Sequence, residues 1–438
     1  MNNEIPTNNF HRVLRNEPEG FFTQLLPTRD QLDIFKNCKD LVQEALEIKL
    51  KEEYGTKPKF RLQGSWAYGT CNVPNREGQE IDFDYGCYLP EKCFSGDQES
   101  DAEVLIGHVK QSLSQLCYVE NWQLDDTNPS CLRIRGFMAD AHFDIPLYAV
   151  PDDMFNDLKD VPISSRKNSD VVESNESFDG LSNRGYGGSL NFSEDTQPQD
   201  LSTFFGESSF NRSSDTINLS ESLESNQFDG IQKNESTQPS IKDISLIRND
   251  GKWKVSNCER VREWFLKECS KLPGEGQQLR SIVRYIKAWR DYDFNPKHRK
   301  APTSLALMIL TVDTYEYTQQ RDDKALTQVA SMLPNRFLQD VTCKDIKDHE
   351  TEIFNDYGDN TYKYRADDSR LAKQFYESLE YCSTKATVAK QCLTLLTTSL
   401  GDKITDNEDL VSISVKETNP KPVQVAAAAA ILPSQIGG

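Results

Sequence analysis

The sequence predicts an α+β chain in two lobes, a mixed sheet with flanking helices followed by an α-helical lobe. Two observations carry this. Strand-like alternation of apolar and polar residues falls within the first 150 residues, and helical apolar stripes dominate after residue 243. Between them, residues 162–242 change composition sharply, towards Ser, Asn, Asp, Glu and Gly with no persistent period. Such a segment buries too little apolar surface to offset its ordering entropy, so it reads as a polar, disordered insert. The expected organisation is therefore a sheet lobe with an N-terminal helix (1–161), the insert (162–242), a helical lobe (243–402) and a flexible tail (403–438) ending Gly437-Gly438.

In chain order, Thr28 is a suitable N-cap for a helix to about Glu53, with Leu32, Phe35, Val42, Ala45 and Leu46 on one stripe. Phe60 to Ser65 reads as a strand end and turn, and Gln79 to Tyr85 as a strand. A second helix spans about Val104 to Leu116. Two more strands follow, Cys131 to Phe137 and Ala141 to Val150. In the helical lobe, Val261, Trp264, Phe265 and Cys269 form one stripe, and Leu279, Ile282, Val283, Ile286 and Trp289 another. Further helices are expected at 304–317, 326–333, 371–381 and 388–400.

The chemistry concentrates between Leu62 and Tyr85. Side chains alternate along a strand, so Asp82 and Asp84 share one face while Ile81, Phe83 and Tyr85 share the other. Two carboxylates so placed repel unless a proton or cation sits between them, and hard oxygen ligands favour Mg²⁺. Upstream, Gly64-Ser65 combines a backbone that permits close approach with a hydroxyl, which suits a phosphate. With 69 acidic residues in 438, acid-x-acid pairs also recur by composition alone, mostly on solvated faces. The third carboxylate, Asp144, lies within the apolar run Phe143-Asp144-Ile145-Pro146-Leu147. Burying it requires a partner. Either it forms a salt bridge to Arg133 or Arg135, or it converges on the Asp82/Asp84 cation.

Composition limits the alternatives. The formal charge of −19 disfavours non-specific binding to nucleic acid or anionic membranes. No apolar run approaches 18 residues and no signal pattern opens the chain, so a cytoplasmic protein that does not contact membranes is expected. Eleven cysteines without a C-x-x-C pair argue for reduced thiols.

Gln63-Gly64-Ser65, Glu80-Ile81-Asp82-Phe83-Asp84, the run Phe143 to Ala149 and Lys287-Ala288-Trp289-Arg290-Asp291 together resemble the polymerase-β-like nucleotidyltransferases. Within them, the likeness is to the DncV branch of the bacterial cGAS/DncV-like family. It covers about residues 25–160 and 243–410 and fails over the insert. The resemblance implies a synthase joining ATP and GTP into a cyclic dinucleotide, 3′,3′-cyclic GMP-AMP, with release of pyrophosphate. Two Mg²⁺ ions, replaceable by Mn²⁺, would be held by Asp82, Asp84 and Asp144, which are also the catalytic residues. Nucleotide contacts carry over to Gln63, Gly64, Ser65, Tyr68, Arg133, Lys287 and Ser304, with Asp250 counted among them. By their spacing alone, Arg280, Arg284, Lys287 and Asp291 form one helix face, ordinarily a solvated one.

The resemblance further implies a second messenger in anti-phage defence and a downstream effector that the product activates. It also implies conjugation of Gly438 by a ubiquitin-activating and ubiquitin-conjugating type of partner. The zinc-bearing His and Cys cluster of DNA-activated animal relatives has no counterpart, Cys382 and Cys392 being isolated, so no DNA activator is expected. Two other classes stay open: a template-free RNA or oligoadenylate-type nucleotidyltransferase, and a catalytically silent nucleotide sensor.

Overall fold

A computed structural model describes residues 7–158, 243–256, 258–294, 300–343 and 352–414. The insert 162–242, the chain beyond 414 and Gly438 lie outside these residues. The elements run α1 (His11–Arg15), α2 (Phe21–Gln24), α3 (Arg29–Tyr54), β1 (Lys59–Leu62), α4 (Gly64–Ala67), β2 (Ile81–Pro90), α5 (Gln98–Glu120), β3 (Gln123–Asp125), β4 (Leu132–Arg135), β5 (Ala141–Ile145), β6 (Leu147–Val150), α6 (Asp152–Asp157), β7 (Ser245–Ile247) and β8 (Trp253–Val255). Among the described residues, six α-helices follow: α7 (Cys258–Ser270), α8 (Gln277–Asp293), α9 (Ser304–Thr314), α10 (Asp322–Phe337), α11 (Thr361–Thr384) and α12 (Ala389–Leu400).

The sheet has the order β3-β4-β5-β2-β6-β7-β8, with β1 antiparallel to β2. Its centre is β2, ten residues long, whose two halves pair with different parallel neighbours. Ile81 to Asp84 pair with Ala141 to Asp144 of β5, and Cys87 to Pro90 with Leu147 to Val150 of β6. Pro146 separates β5 from β6 because it donates nothing to a ladder, although its carbonyl still accepts from Cys87 N at 2.9 Å. The single strand expected over 141–150 is thus two. Helix α3 begins with a complete capping box, Thr28 with Gln31, and ends at Gly55 in the left-handed region. Its apolar stripe and that of α5 cover the sheet beside an aromatic cluster in which Phe83 stacks on Phe35 and Phe143.

Three boundaries differ from the sequence expectation. Residues 10–25 do not belong to the sheet lobe. Phe10, Val13, Leu14, Phe21, Phe22 and Leu25 are buried in one core with Ile282, Trp289, Leu333 and Leu396 of the helical lobe. Helices of four or five residues carry no readable period, so this long-range packing leaves no local signal. The helical lobe likewise starts later than residue 243, because β7 and β8 extend the sheet through β6. Residues 403–414 are packed and not a free tail. Leu410 and Val411 are buried, and Ser412 exchanges backbone hydrogen bonds with Asn9 at 2.8 and 2.9 Å. Cys382 and Cys392, read from the sequence as isolated, meet where α11 turns into α12, with Cys382 Sγ donating to the Cys392 carbonyl at 3.5 Å. Among the described residues, no helix is long and apolar enough to cross a membrane.

Candidate active site

Strand register builds the site. Asp82 lies opposite His142 and Asp84 opposite Asp144 across the parallel β2/β5 pair. Arg133 lies opposite Asp144, and Arg135 opposite His142, across the antiparallel β4/β5 pair. Because neighbours in register point to the same face, three carboxylates, an imidazole and two guanidiniums gather on one side of the sheet. The other side holds Ile81, Phe83, Phe143 and Ile145, all buried.

The charges are partly matched. Arg133 holds Asp144 bidentately, Nε to Oδ1 at 2.6 Å and Nη2 to Oδ2 at 2.7 Å. His142 faces Asp82 Oδ1 at 2.8 Å through Nε2 and Glu80 Oε2 at 2.9 Å through Nδ1. Arg135 also pairs with Glu80. Burial opposes the His142 imidazolium, but the hydrogen bond and charge of Asp82 and the charge of Asp144 outweigh it, so its pKa is raised. Asp84 differs from its neighbours. Among the described residues no cation pairs with its carboxylate, and burial followed by the charges of Asp82 and Asp144 pushes its pKa well above the usual range. A half-buried carboxylate on the cleft wall, in register with Asp144 and with no cation of its own among the described residues, is the donor chemistry that suits a hard divalent ion. Asp82, His142 and Asp144 each place a ligand atom within 4.8 Å of the others.

The turn before β2 fits closely against this cluster. Gly64 sits at φ +56°, and a Cβ there would stand 2.2 Å from Asp84 Oδ2, so only glycine fits. Gln63 N donates to the Asp84 carbonyl at 3.0 Å and Trp66 Nε1 to the Asp82 carbonyl at 2.7 Å, which ties the turn to the strand.

Gly64, Ser65, Tyr68, Asp82, Asp84, Lys287 and Ser304 line one cleft of about 450 Å³ between the lobes. Asp144 adjoins it through the carboxylate cluster. Tyr68 packs edge-on to Phe265, ring centroids 5.9 Å apart, at the cleft wall. Lys287 donates to the Thr70 carbonyl at 2.8 Å, and burial lowers its pKa to about 8. Ser304 opens α9 and accepts from Arg290 Nη1 at 3.2 Å.

Three expected nucleotide contacts do not line the cleft: Arg133 is spent on Asp144, and two others lie elsewhere. The buried Gln63 side chain turns away from the cleft, to Tyr88 and Tyr148. Asp250 lies in the β7–β8 turn, paired with Arg248 at 2.8 Å and next to Gly251, whose Cβ position is 3.3 Å from Glu99 Cγ on α5. A larger concavity, about 920 Å³, runs along α11 and α12 and contains none of the three carboxylates. The chemistry therefore selects the smaller cleft.

The segment from Tyr68 to Gln79 crosses α8 and covers the helix face whose spacing reads as solvated, burying Arg284 and Lys287 and half-burying Arg280 and Asp291. Arg280 Nε donates to Tyr68 O at 3.0 Å, Arg284 Nη2 to Gly69 O at 2.8 Å, and Arg284 Nη1 to Cys71 O. In return Asn72 donates to Arg284 O at 2.9 Å, Asn75 to Ala288 O at 3.0 Å and Leu400 O at 2.7 Å, and Gln79 to Asp291 O at 3.1 Å. Sequence reasoning missed this clamp, and missed His142. The signal for His142 was its position two residues from Asp144, on the same strand face.

Comparison with known proteins bears on what this arrangement is. Residues 58–148 match the family described as the cyclic GMP-AMP synthase DncV-like nucleotidyltransferase domain, and residues 276–413 match the cyclic GMP-AMP synthase C-terminal domain. The chain belongs to the DncV-like nucleotidyltransferases. The first match spans β1 to β6 and so contains all three carboxylates. The second spans α8 to α12 and contains Lys287 and Ser304.

This DncV-like chain is 25% identical over 365 residues to a cyclic GMP-AMP synthase of Vibrio cholerae, covering 82% of this chain and 71% of that one. An Escherichia coli protein of the same name is 24% identical over 393 residues, covering 89% and 77%. The crystal structure of Vibrio cholerae DncV cyclic AMP-GMP synthase superposes with a TM-score of 0.64 at 19% identity, over 94% of this chain and 100% of that one. A second structure of that enzyme, in complex with the linear intermediate 5′ pppA(3′,5′)pG, gives the same values. At that identity these structures establish the shared fold, an α+β nucleotidyltransferase sheet lobe joined to a helical lobe.

Proposed function

We propose that this nucleotidyltransferase is a cyclic dinucleotide synthase that joins ATP and GTP, giving 3′,3′-cyclic GMP-AMP. The observation that carries the reading is Asp82 and Asp84 lining one cleft with Gly64, Ser65, Lys287 and Ser304, while Asp144 sits beside it in register with Asp84. The names of the similar synthases support the choice of product.

Asp82, Asp84 and Asp144 would hold divalent cations, Mg²⁺ or Mn²⁺. When bound, such ions neutralise triphosphate charge and favour ionisation of an attacking hydroxyl. The protein's own residues do the rest. The Gly64-Ser65 turn offers backbone and hydroxyl donors to phosphate oxygens, and Lys287 supplies a buried positive charge beside them. Ser304 and the N-terminus of α9 favour an anion at the far end, where pyrophosphate departs. Asp144 is positioned to accept the proton of the attacking ribose hydroxyl, and Tyr68 presents a ring for a base. The decisive assay incubates the protein with labelled ATP and GTP, treats the mixture with phosphatase and identifies the resistant product by mass. A linear, phosphatase-sensitive ladder would instead identify a template-free polymerase.

Service as an anti-phage second-messenger source and conjugation through Gly438 complete the proposed reading. Their support is the family resemblance and the terminal Gly437-Gly438. Co-expression with a ubiquitin-activating and ubiquitin-conjugating type of partner is expected to give a shifted band that Gly438→Glu removes.

A further inference from the structure

The pairing within the carboxylate cluster carries a consequence for the order in which the site fills. Both oxygens of Asp144 are engaged by one guanidinium, at 2.6 and 2.7 Å, and the strands that bear the two residues are directly in register. Charge-assisted bidentate pairs of this kind are among the stronger polar contacts in proteins. The Asp144 side chain keeps 9% of its surface open and that of Arg133 keeps 20%, so the guanidinium is the more accessible partner. It uses only Nε and Nη2 on Asp144. Among the described residues Nη1 has no partner, which leaves one guanidinium donor unspent.

We propose that Arg133 is a keeper for Asp144: it occupies the third carboxylate in the unliganded protein and surrenders it when a nucleotide's phosphate oxygens draw the guanidinium away. The inference rests on the synthase reading above and concerns the regulation of that site.

The electrostatics favour exchange over simple release. Arg133 is one of the charges that relieve Asp84 from the repulsion of Asp82 and Asp144. Withdrawing it alone would leave three carboxylates with too little positive charge, whereas replacing it by a divalent ion increases the compensation. Arg135 cannot substitute, because Glu80 engages it and Asp125 lies 3.7 Å from its Nε. Asp82 and Asp84 are open to a first cation without this step. Asp144 joins only once Arg133 has a better partner. A cation would then be bound weakly by the protein alone and more tightly with nucleotide, which protects the site from idle occupancy.

The test measures Mn²⁺ binding to the full chain by electron paramagnetic resonance, with no turnover required. Without nucleotide, Arg133→Met is expected to bind Mn²⁺ at least about tenfold more tightly than the unmodified protein, since the competing charge is gone. Adding Asp144→Asn to Arg133→Met should erase the gain. A non-hydrolysable ATP analogue should tighten Mn²⁺ binding in the unmodified protein much more than in Arg133→Met. Equal affinities of the unmodified protein and Arg133→Met would overturn the proposal and make Arg133 a permanent strut. Should Arg133→Met fail to fold, Arg133→Lys, limited to one contact, replaces it with a smaller gain expected and equality again the overturning result. Asp82→Ala/Asp84→Ala serves as the control. If it binds Mn²⁺ as well as the unmodified protein, the carboxylate site itself is misassigned, an outcome separate from failure of the keeper.

Discussion

The two walls of the cleft are held by opposite strategies. The 68–79 segment is fastened to α8 by hydrogen bonds at successive backbone carbonyls, and donors run in both directions. Those contacts are buried or half-buried, and nothing in the proposed chemistry needs to break them. The carboxylate wall is held by ion pairs, Arg133 on Asp144 and His142 on Asp82, of which a nucleotide displaces the first in the proposed keeper role. Hydrogen bonds to neutral backbone carbonyls, which no incoming ion competes for, suit a wall that must stay where it is. Charge pairs suit one whose contents change, because a more highly charged ligand can outcompete them.

The largest expected effect tests the exchangeable wall. Asp82→Ala with Asp84→Ala should lower product formation by more than about a hundredfold. Thermal unfolding should shift little or upward, since two mutually repelling groups are removed. A folded double mutant with near-normal turnover would break the assignment.

Next comes the turn that links the walls. Gly64→Ala adds a methyl 2.2 Å from Asp84 Oδ2 at a φ of +56°. A carboxylate displaced by even about 1 Å costs roughly a hundredfold in rate, so kcat should fall while the circular dichroism spectrum stays native.

Lys287 sharpens the comparison because it belongs to both strategies, tied to Thr70 O yet charged in the cleft. Its pKa in the folded protein, about 8, lies below that of a free lysine. The folded state therefore binds fewer protons than the unfolded chain between pH 8 and the free-lysine value. The cost of burying the ammonium is complete below pH 8, on the order of 3 kcal/mol, and is relieved as pH rises through that window. Lys287→Met should accordingly leave stability at pH 7 unchanged or raised while weakening triphosphate binding about tenfold. In the unmodified protein, triphosphate affinity should decline as pH rises past about 8, and Lys287→Arg should flatten that decline. A titration by calorimetry across pH 7–9.5 reads both.

The smallest effect on chemistry, and a clear one on stability, belongs to the fixed wall. Asn75→Ala removes both donors from the Ala288 and Leu400 carbonyls, a loss of about 2 kcal/mol in denaturant unfolding. If turnover per folded molecule falls by more than about threefold, the clamp shapes the transition state and not only the fold.

The carboxylates were legible in the sequence because strand alternation is a local rule. Asp82 and Asp84 had to share a face whatever the tertiary structure, and Asp144 was conspicuous as an acid in an apolar run. What joined them, the β2/β5 register, is non-local, and with it His142 stayed hidden in plain view. The α8 charges were read as solvated because an Arg that donates to loop carbonyls has the same sequence spacing as one that faces water. Gln63 was placed in the cleft by its neighbours in the motif, but the turn that exposes Gly64 and Ser65 points the preceding side chain to the opposite side. The start of the helical lobe and the packing of residues 10–25 escaped for a related reason: strands β7 and β8 and helices α1 and α2 are too short to show a period.

That last packing has a consequence for how the molecule comes into being. Asn8 donates to the carbonyls of Cys382 and Ala386, and accepts from Ser414 N, across sequence separations of 374, 378 and 406 residues. The earliest-made part of the described chain thus finds its partners only when the latest has left the ribosome. Phe10, Phe21 and Phe22 have no core to enter until α8 and α10 have been made, and the helical lobe lacks one of its walls until they dock. Closure of loops this long is slow and comes late. The sheet lobe, whose strands β1 to β6 lie within 92 consecutive residues, can form first and template the rest. Refolding followed by hydrogen exchange should show protection arriving on β2 and β5 before α1, α2 and α12, with the amide of Asn9 among the last to be shielded.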